Sequence, residues 1–220
     1  MADAGAVTQT RTRSHGGRPS RDESARLSER ILDVATALFL KDGFGATSIE
    51  SVAKRAGISK RTFYHRFRSK EVLFESVVQR LLDRWLPPID QSIPEHLDLP
   101  AALQRIAEMM LRVALTPEAL ALHRLVIAEA QRFPGLARIM HELGAAAGIE
   151  RIAKLLEGHA GRDELSPIDR AYAAEQFIMM VLSSPRRRAM GIGTPFSPAE
   201  LEAWVKRTVT LFLDGARSRR

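Results

Sequence analysis

The stretch ILDVATALFLKDGFGATSIESVAKRAGISKRTFYHRFRSKEVLF, residues 31–74, decides the fold. Its apolar residues recur every three or four positions, which is the spacing of amphipathic helices. They predict a first helix over about 24–42 and a second helix that begins after Ser48, whose side chain can cap it. Ser59 can cap a short third helix over 60–67 in the same way, and a fourth helix follows at once. The stretch therefore predicts a compact group of helices with short connections.

The second and third helices match a helix-turn-helix unit over about 48–67, because a Gly-containing turn of a few residues joins them. Gly57 tolerates a positive backbone angle at that turn. Ile58 can fill the angle between the two helices, and Phe63 and Phe67, four residues apart, can anchor the third helix to a core. The polar side chains left on the outer face of the third helix are Lys60, Arg61, Tyr64 and His65.

These outer side chains suit DNA, because a helix that projects polar residues from its N-terminal part can enter a major groove. Lys60 or Arg61 can read guanine through its N7 and O6 acceptors. Contacts to phosphate fix register rather than sequence, and we assign them to Ser48, Thr62, Tyr64 and Lys70. The alternative at this point is an ordinary helical hairpin with a solvated basic face.

The distribution of charge supports an anionic partner. The 220 residues carry a net charge of +7, and the whole excess lies in residues 1–70, since residues 71–220 hold as many acidic as basic side chains. The window 54–70 has seven basic residues and no acidic one. A basic surface on an otherwise neutral protein is typical of nucleic-acid binding.

The same residues resemble the N-terminal domain of the TetR family of bacterial transcriptional regulators, without gaps over about 26–78. The family has an aromatic-Tyr pair, a spaced aromatic residue, and a Ser/Asn-Lys pair at the next helix start. Phe63-Tyr64, Phe67 and Ser69-Lys70 stand at these places. A second segment, HRLVIAEAQRFPGLARIMHELG at 123–144, is similar to the AefR-like subgroup of that family.

The resemblance implies an obligate homodimer, a palindromic operator and repression that a small-molecule ligand relieves. It implies DNA-facing roles for Ser48, Thr62, Tyr64, His65 and Lys70. Two positions depart from the family. Arg61 stands where many members have Gly, Pro or Ala, and Glu50 stands where some members place a basic side chain on DNA.

Proline divides the chain, because Pro87, Pro88, Pro94 and Pro100 crowd one short stretch, and 85–99 is interpreted as a linker. We therefore predict a flexible basic arm over 1–23, a helix-turn-helix domain over 24–86, and a helical ligand-binding and dimerisation domain over 87–220. The fold class is all-α, since no segment alternates apolar and polar residues as a strand does. The helices predicted for the C-terminal domain lie near 100–115, 117–132, 135–159, 167–183 and 198–215.

An apolar effector pocket is predicted in the C-terminal domain, because flexible Met side chains line adaptable pockets. Its predicted members are Trp85, Met109, Met110, Phe177 and Met180. Ordinary core filling explains the same Met residues. We expect the last two helices to pair in the dimer through apolar residues beyond the needs of one domain: Ala174, Phe177, Ile178, Val181, Leu201, Val205, Val209 and Phe212. The run Arg186-Arg187-Arg188 is expected to be solvated.

Other classes of protein are less compatible with the sequence. It has no Cys, no metal-ligand spacing among its six His and no nucleophile motif, so we expect no cofactor, no metal site and no enzyme activity. No apolar stretch is long enough to span a membrane, and the polar start is unlike a secretory signal, so a cytoplasmic location is expected. The alternatives left open are a ligand-independent regulator, a helical enzyme with an accessory basic domain and a sequence-blind, nucleoid-like DNA binder.

Overall fold

The computed structural model describes residues 21–85, 97–159 and 169–216, and these ranges contain helices and turns but no strand. The all-α prediction is therefore confirmed for the described part of the chain. The helices are α1 Arg21–Asp42, α2 Ile49–Ala56, α3 Lys60–Arg66, α4 Lys70–Trp85, α5 Leu99–Ala114, α6 Pro117–Glu129, α7 Pro134–Met140, α8 Ala147–His159, α9 Arg170–Ala189 and α10 Pro198–Ala216.

The predicted boundaries agree with α1 to α4 to within a few residues. Helix α1 begins at Arg21, so the last three residues of the predicted arm over 1–23 belong to a helix, while 1–20 lie outside the described residues. The Pro-rich stretch is likewise outside them over 86–96. Both predicted caps are confirmed, because the hydroxyl of Ser48 accepts the N–H of Ser51 and that of Ser59 accepts the N–H of Thr62.

A first hydrophobic core lies among α1 to α4. Phe39, Phe44 and Phe74 form its aromatic centre, with each pair of ring centroids 5.5 Å apart and Phe74 edge-on to the other two rings. Edge-to-face pairs are favourable beyond the area that they bury. Helices α6 and α7, which follow the Pro-rich stretch in the sequence, complete the same core. Their buried residues in it are Leu122, Leu125, Leu136 and Ile139.

A second core lies among α5, α8, α9 and α10, where Leu103, Phe177 and Phe212 are central members. The rings of Phe177 and Phe212 meet at a centroid distance of 5.0 Å. Most of the apolar residues that we predicted to face a dimer partner lie inside this core. Ala174, Phe177, Val181, Val205, Val209 and Phe212 are buried within the protomer, and Ile178 and Leu201 pack against them. These side chains are therefore not the dimer contact that was expected, because amphipathic spacing does not distinguish a core from an interface, while the pairing of the two helices stays a prediction.

Helix α9 runs further than predicted. Asp169 caps its start and the helix continues to Ala189, whereas the predicted start near 167 lies outside the described residues. Pro185 sits inside the helix, where its missing N–H leaves the carbonyl of Val181 without its usual donor. The indole Nε1 of Trp204 on α10 donates to that carbonyl at 3.0 Å. A side chain from the neighbouring helix thus satisfies the group that the proline leaves open.

The arginine run at 186–188, which was expected to be solvated, lies in the last turn of α9, where Arg187 is exposed and Arg186 and Arg188 are half-buried. Arg186 is half-buried, and this burial lowers the pKa of its guanidinium. Arg188 lies over the ring of Phe196, 4.4 Å from its centroid, and donates to the carbonyl of Thr194 at 3.1 Å. Arg188 therefore fastens the turn between α9 and α10.

The predicted helix over 135–159 is continuous, but it contains one π-helical turn, His141–Ala146, between α7 and α8. Gly144 lies in this turn, and a Cβ at that position would lie 4.0 Å from Leu82 of α4. The wider turn thus coincides with the place where the helix passes α4.

Candidate nucleic-acid interface

Helix α3 presents one buried and one exposed face. Phe63 is fully buried, and Phe67 follows it at the end of the helix as a second anchor. Lys60, Arg61, Tyr64 and His65 are all exposed, as predicted. Gly57, at the turn before α3, has φ +65, which is the left-handed conformation that glycine adopts readily.

Arg66 fixes α3 to α1, and the sequence analysis did not single it out. Its guanidinium donates to the hydroxyl of Ser28 at 2.7 Å and to that of Ser24 at 3.1 Å. These bonds join residues about 40 positions apart in the chain. Because α3 has only seven residues, such tertiary bonds and the Phe anchors hold it more firmly than its own length allows.

The polar groups at the start of α3 are already arranged in the free protein. The ammonium of Lys60 forms an ion pair with the carboxylate of Glu50 on α2, and Lys60 lowers the pKa of that carboxyl. Both side chains are more than half exposed, so the pair contributes little to stability. Thr62 is half-buried, with its hydroxyl 2.9 Å from that of Ser59. Arg61 is exposed and has no ion pair within the described ranges.

Ser48 and Tyr64 occupy exposed positions around the turn. Ser48 caps α2, and its carbonyl also accepts the hydroxyl of Ser51 at 2.7 Å. The ring of Tyr64 stands edge-on to that of Phe63, and 51% of the Tyr64 residue surface is exposed. The Tyr64 ring is therefore held by its contact with Phe63, while the side chain stays accessible.

Lys70, at the first residue of α4, turns toward the protein. Its ammonium donates to the carbonyl of Phe44 at 2.8 Å and to that of Thr47 at 3.0 Å, and it lies 4.4 Å from the centroid of the Phe44 ring. Burial lowers the pKa of Lys70, while the charges of Glu71 and Glu129 act in the opposite direction. Lys70 thus holds the loop between α1 and α2, a role that sequence spacing does not reveal.

Glu129 and Phe133, at the corner between α6 and α7, also reach this loop. A carboxylate oxygen of Glu129 accepts the backbone N–H of Gly45 at 2.8 Å. The ring of Phe133 packs edge-on against that of Phe44, with centroids 4.9 Å apart. Glu129 and Gly45 are 84 positions apart, and no local pattern connects them.

The predicted effector pocket is divided between the two cores. Phe177 is fully buried in the second core, and Met110 and Met180 pack against that core, while Trp85 packs against the first core. Met109 is half-buried on α5. An open groove of about 530 Å³ lies elsewhere, between α1 and α4, and charged side chains including Glu29, Glu75 and Arg80 line much of it.

Two further features are absent from the described ranges. No three His, Asp or Glu side chains there are close enough together to hold a metal ion. None of the described helices combines the length and the hydropathy that crossing a membrane requires.

A three-helix unit that exposes the basic face of a short, anchored helix defines a helix-turn-helix DNA-binding protein. Comparison with family models agrees with this class. Residues 31–77 match the bacterial regulatory proteins of the tetR family, and residues 101–215 match the C-terminal domain of the AefR-like transcriptional repressors. The chain belongs to the TetR family of bacterial transcriptional regulators, and it is a DNA-binding transcriptional regulator.

Individual relatives agree with the family models. The chain is 31% identical over 176 residues to the HTH-type transcriptional regulator RutR of Escherichia coli K12, covering 79% of this chain and 78% of RutR. A TetR-family regulator from Mesorhizobium loti has a similar solved structure, with a TM-score of 0.75 and 32% identity over 91% of this chain and 100% of that one. The flavonoid-responsive regulator FrrA matches with a TM-score of 0.76 and 30% identity over 89% of this chain and 100% of its own. Because the family consists of regulators, the prediction that this chain is not an enzyme is confirmed.

Proposed function

We propose that the protein is a homodimeric cytoplasmic repressor, that it binds a palindromic operator, and that a small, largely apolar ligand releases it. The observation that carries the proposal is the exposed face of α3, which projects Lys60, Arg61, Tyr64 and His65 from a helix whose other face is locked into the first core. A two-fold dimer of such units requires a two-fold operator, with half-sites about 34–36 Å apart.

Within each half-site, the exposed residues divide into two roles. Arg61 is the favoured base reader, because its guanidinium is exposed whereas the ammonium of Lys60 is shared with Glu50. Tyr64, Thr62 and Ser48 contact phosphates through hydroxyl groups, and His65 faces the DNA beside them. Lys70 uses two of its three N–H donors on loop carbonyls, which leaves one for a phosphate oxygen.

Exposed apolar side chains on the last two helices support the homodimer. Tyr172 and Met179 are 56% and 57% exposed and lie seven residues apart on α9, so they share one face. Leu211 on α10 is 66% exposed. Apolar surface of this kind marks a protein–protein contact when it is contiguous. We assign the pairing of protomers to these outward residues rather than to the buried ones first expected.

Effector release rests on the adaptable side chains of the C-terminal part. Met110, Phe177 and Met180 belong to or pack on the second core, and Met109 is half-buried next to Met110 on α5, whereas Trp85 packs on the first core. The similarity to a flavonoid-responsive regulator adds a reason to test aromatic, weakly polar effectors. A ligand acts only through a difference in its affinity for two conformations.

Selection of binding sites from random DNA, followed by footprinting of the selected duplex, tests the operator. We expect the selected sequences to share one palindrome, and the bound protein to protect both of its half-sites. We also expect the protein to sediment as a dimer. Protection without any sequence preference would instead support the nucleoid-like DNA binder.

Effector release is tested by measuring the affinity of each candidate ligand with and without saturating operator. Reciprocal coupling requires the operator to weaken ligand binding by the same factor by which the ligand weakens operator binding. Equal ligand affinity in the two conditions would support the ligand-independent regulator.

A further inference from the structure

The corner between α6 and α7 is fitted closely to the loop between α1 and α2. Glu129 accepts the Gly45 N–H at 2.8 Å, and its carboxylate lies so close that a side chain on the loop would have to displace it. A Cβ at Gly45 would meet the two carboxylate oxygens at 3.2 and 3.3 Å, and a Cβ at Gly43 would meet one of them at 3.1 Å. Gly43 also has φ +87, which other residues rarely adopt.

The same loop carries groups that we assign to DNA. The carbonyls of Phe44 and Thr47, on either side of Gly45, each accept a hydrogen bond from the Lys70 ammonium. Ser48 follows Thr47 directly and caps α2. A continuous series of contacts therefore runs from Glu129, through the loop, to Lys70 and Ser48.

Phe133 adds an aromatic contact between the α6–α7 corner and the α1–α2 loop. Its ring packs on that of Phe44, and the Lys70 ammonium lies 4.4 Å from the Phe44 centroid and 5.7 Å from the Phe133 centroid. Movement of the corner between α6 and α7 would thus move the ring on which the ammonium rests. A packed arrangement of this kind transmits a displacement because it does not deform continuously.

We propose that Glu129 is a positioning residue for DNA binding, which holds the α1–α2 loop in the geometry that presents Lys70 and Ser48 to the DNA backbone. This inference rests on the proposed function, since it takes Lys70 as a phosphate contact. Because Glu129 lies at the end of α6, it also gives the C-terminal part of the chain a direct connection to the DNA contacts through the α1–α2 loop.

The test uses the full chain and a duplex that carries the palindrome selected by the wild-type protein. Glu129→Ala should weaken operator binding about tenfold, the size expected for losing a hydrogen bond to a charged group. It should also reduce the slope of log K against log salt, as we expect for Lys70→Ala, by up to about 0.9 for each lost phosphate contact. Glu129→Gln keeps an acceptor oxygen and should retain most of the affinity.

A double-mutant cycle distinguishes positioning from general destabilisation. If Glu129 acts through Lys70, Glu129→Ala should cause almost no further loss in a Lys70→Ala protein. Glu118→Ala is the matched control, because Glu118 lies on the same helix and pairs with Arg84 at the far end of α4. It should leave the operator affinity within about twofold and the salt slope unchanged, since exposed pairs contribute little.

The inference would be overturned if the fold-losses of affinity of Glu129→Ala and Lys70→Ala multiplied in the double mutant. An unchanged salt slope for Glu129→Ala, or an equal loss of affinity for Glu118→Ala, would overturn it as well. These outcomes leave the proposed function intact, because the wild-type protein still binds its palindrome. A wild-type protein that selects no palindrome would overturn both.

Discussion

The ammonium of Lys60, at the first residue of α3, is paired with the carboxylate of Glu50, in the first turn of α2. The pair links the two helices of the helix-turn-helix unit across their outer surface. The ammonium of Lys60 is therefore already paired in the free protein. Arg61, the next residue, is exposed, and its guanidinium is accessible.

Arg61→Ala should therefore relax base preference at one position in each half-site. A bidentate Arg–guanine contact discriminates by roughly 1–3 kcal/mol. Site selection with the variant, compared with the wild-type protein, measures the effect. Glu50→Gln is the control, since it releases Lys60 without touching Arg61. A uniform loss of affinity over all operator variants would move Arg61 to the DNA backbone and make Lys60 the reader.

Tyr64→Phe should weaken binding without changing the selected consensus, because the phenol hydroxyl is assigned to a phosphate. The ring stays in place through its edge-on contact with Phe63, so stability should be unchanged. Operator affinity and thermal unfolding measure the two effects separately. A new consensus for Tyr64→Phe would show that the hydroxyl contacts a base.

The arm should add affinity for DNA and no stability. Arg11, Arg13 and Arg18 precede the described residues on a polar segment next to the DNA-binding unit. Arg side chains on such arms are attracted into narrow minor grooves by their negative potential. Deletion of residues 2–19 should lower operator affinity at physiological salt and leave the unfolding midpoint unchanged. Unchanged affinity would remove this role.

His123 should make stability fall on mild acidification. Burial, and then the charge of Arg186, lower its pKa below the ordinary 6.5, so the unfolded chain binds the proton more tightly than the folded one. The stability loss begins as the pH falls through 6.5 and is complete below the lower folded-state pKa. Denaturant unfolding of the wild-type protein and of His123→Gln over that range measures the difference. Parallel pH profiles for the two proteins would contradict it.

Trp204→Phe should destabilise the protein by about 1–3 kcal/mol, because the Val181 carbonyl beside Pro185 loses its donor. The ring contact with Phe196 remains available to the new side chain. In a Pro185→Ala background, the backbone N–H of residue 185 returns and the cost of Trp204→Phe should shrink. Chemical unfolding of the four proteins gives the coupling. An equal loss of stability in both backgrounds would show that the role of Trp204 does not depend on Pro185.

The sequence predicted what neighbouring residues determine. The caps at Ser48 and Ser59 and the turn at Gly57 depend on residues within four positions of each other, and all three were correct. The outer face of α3 followed from the two Phe anchors in the same way. Helix α9 continues past Pro185, and the carbonyl that the proline leaves without a donor is satisfied by Trp204 on another helix. Neighbouring residues do not reveal that bond, and the end of α9 was predicted six residues too early.

Contacts between distant parts of the chain account for the rest. The bonds of Lys70 and Glu129 to the α1–α2 loop span 23 to 84 positions and leave no periodic signal. The faces of α9 and α10 were recognised as apolar, but spacing alone assigned them to a partner instead of to their own core. Met110 and Met180, which were predicted to share a pocket with Trp85, pack against a different core.

Helices α6 and α7 follow the Pro-rich stretch in the chain and yet complete the core that α1 to α4 begin. A fragment that stops at residue 86 would expose to water the apolar surface that Leu122, Leu125 and Leu136 cover. The DNA-binding unit is consequently not a module that can be cut at the prolines and grafted onto another regulator. Chimaeras of this protein would have to exchange α6 and α7 together with the helix-turn-helix, and the natural crossover point lies after α7, at the π-helical turn.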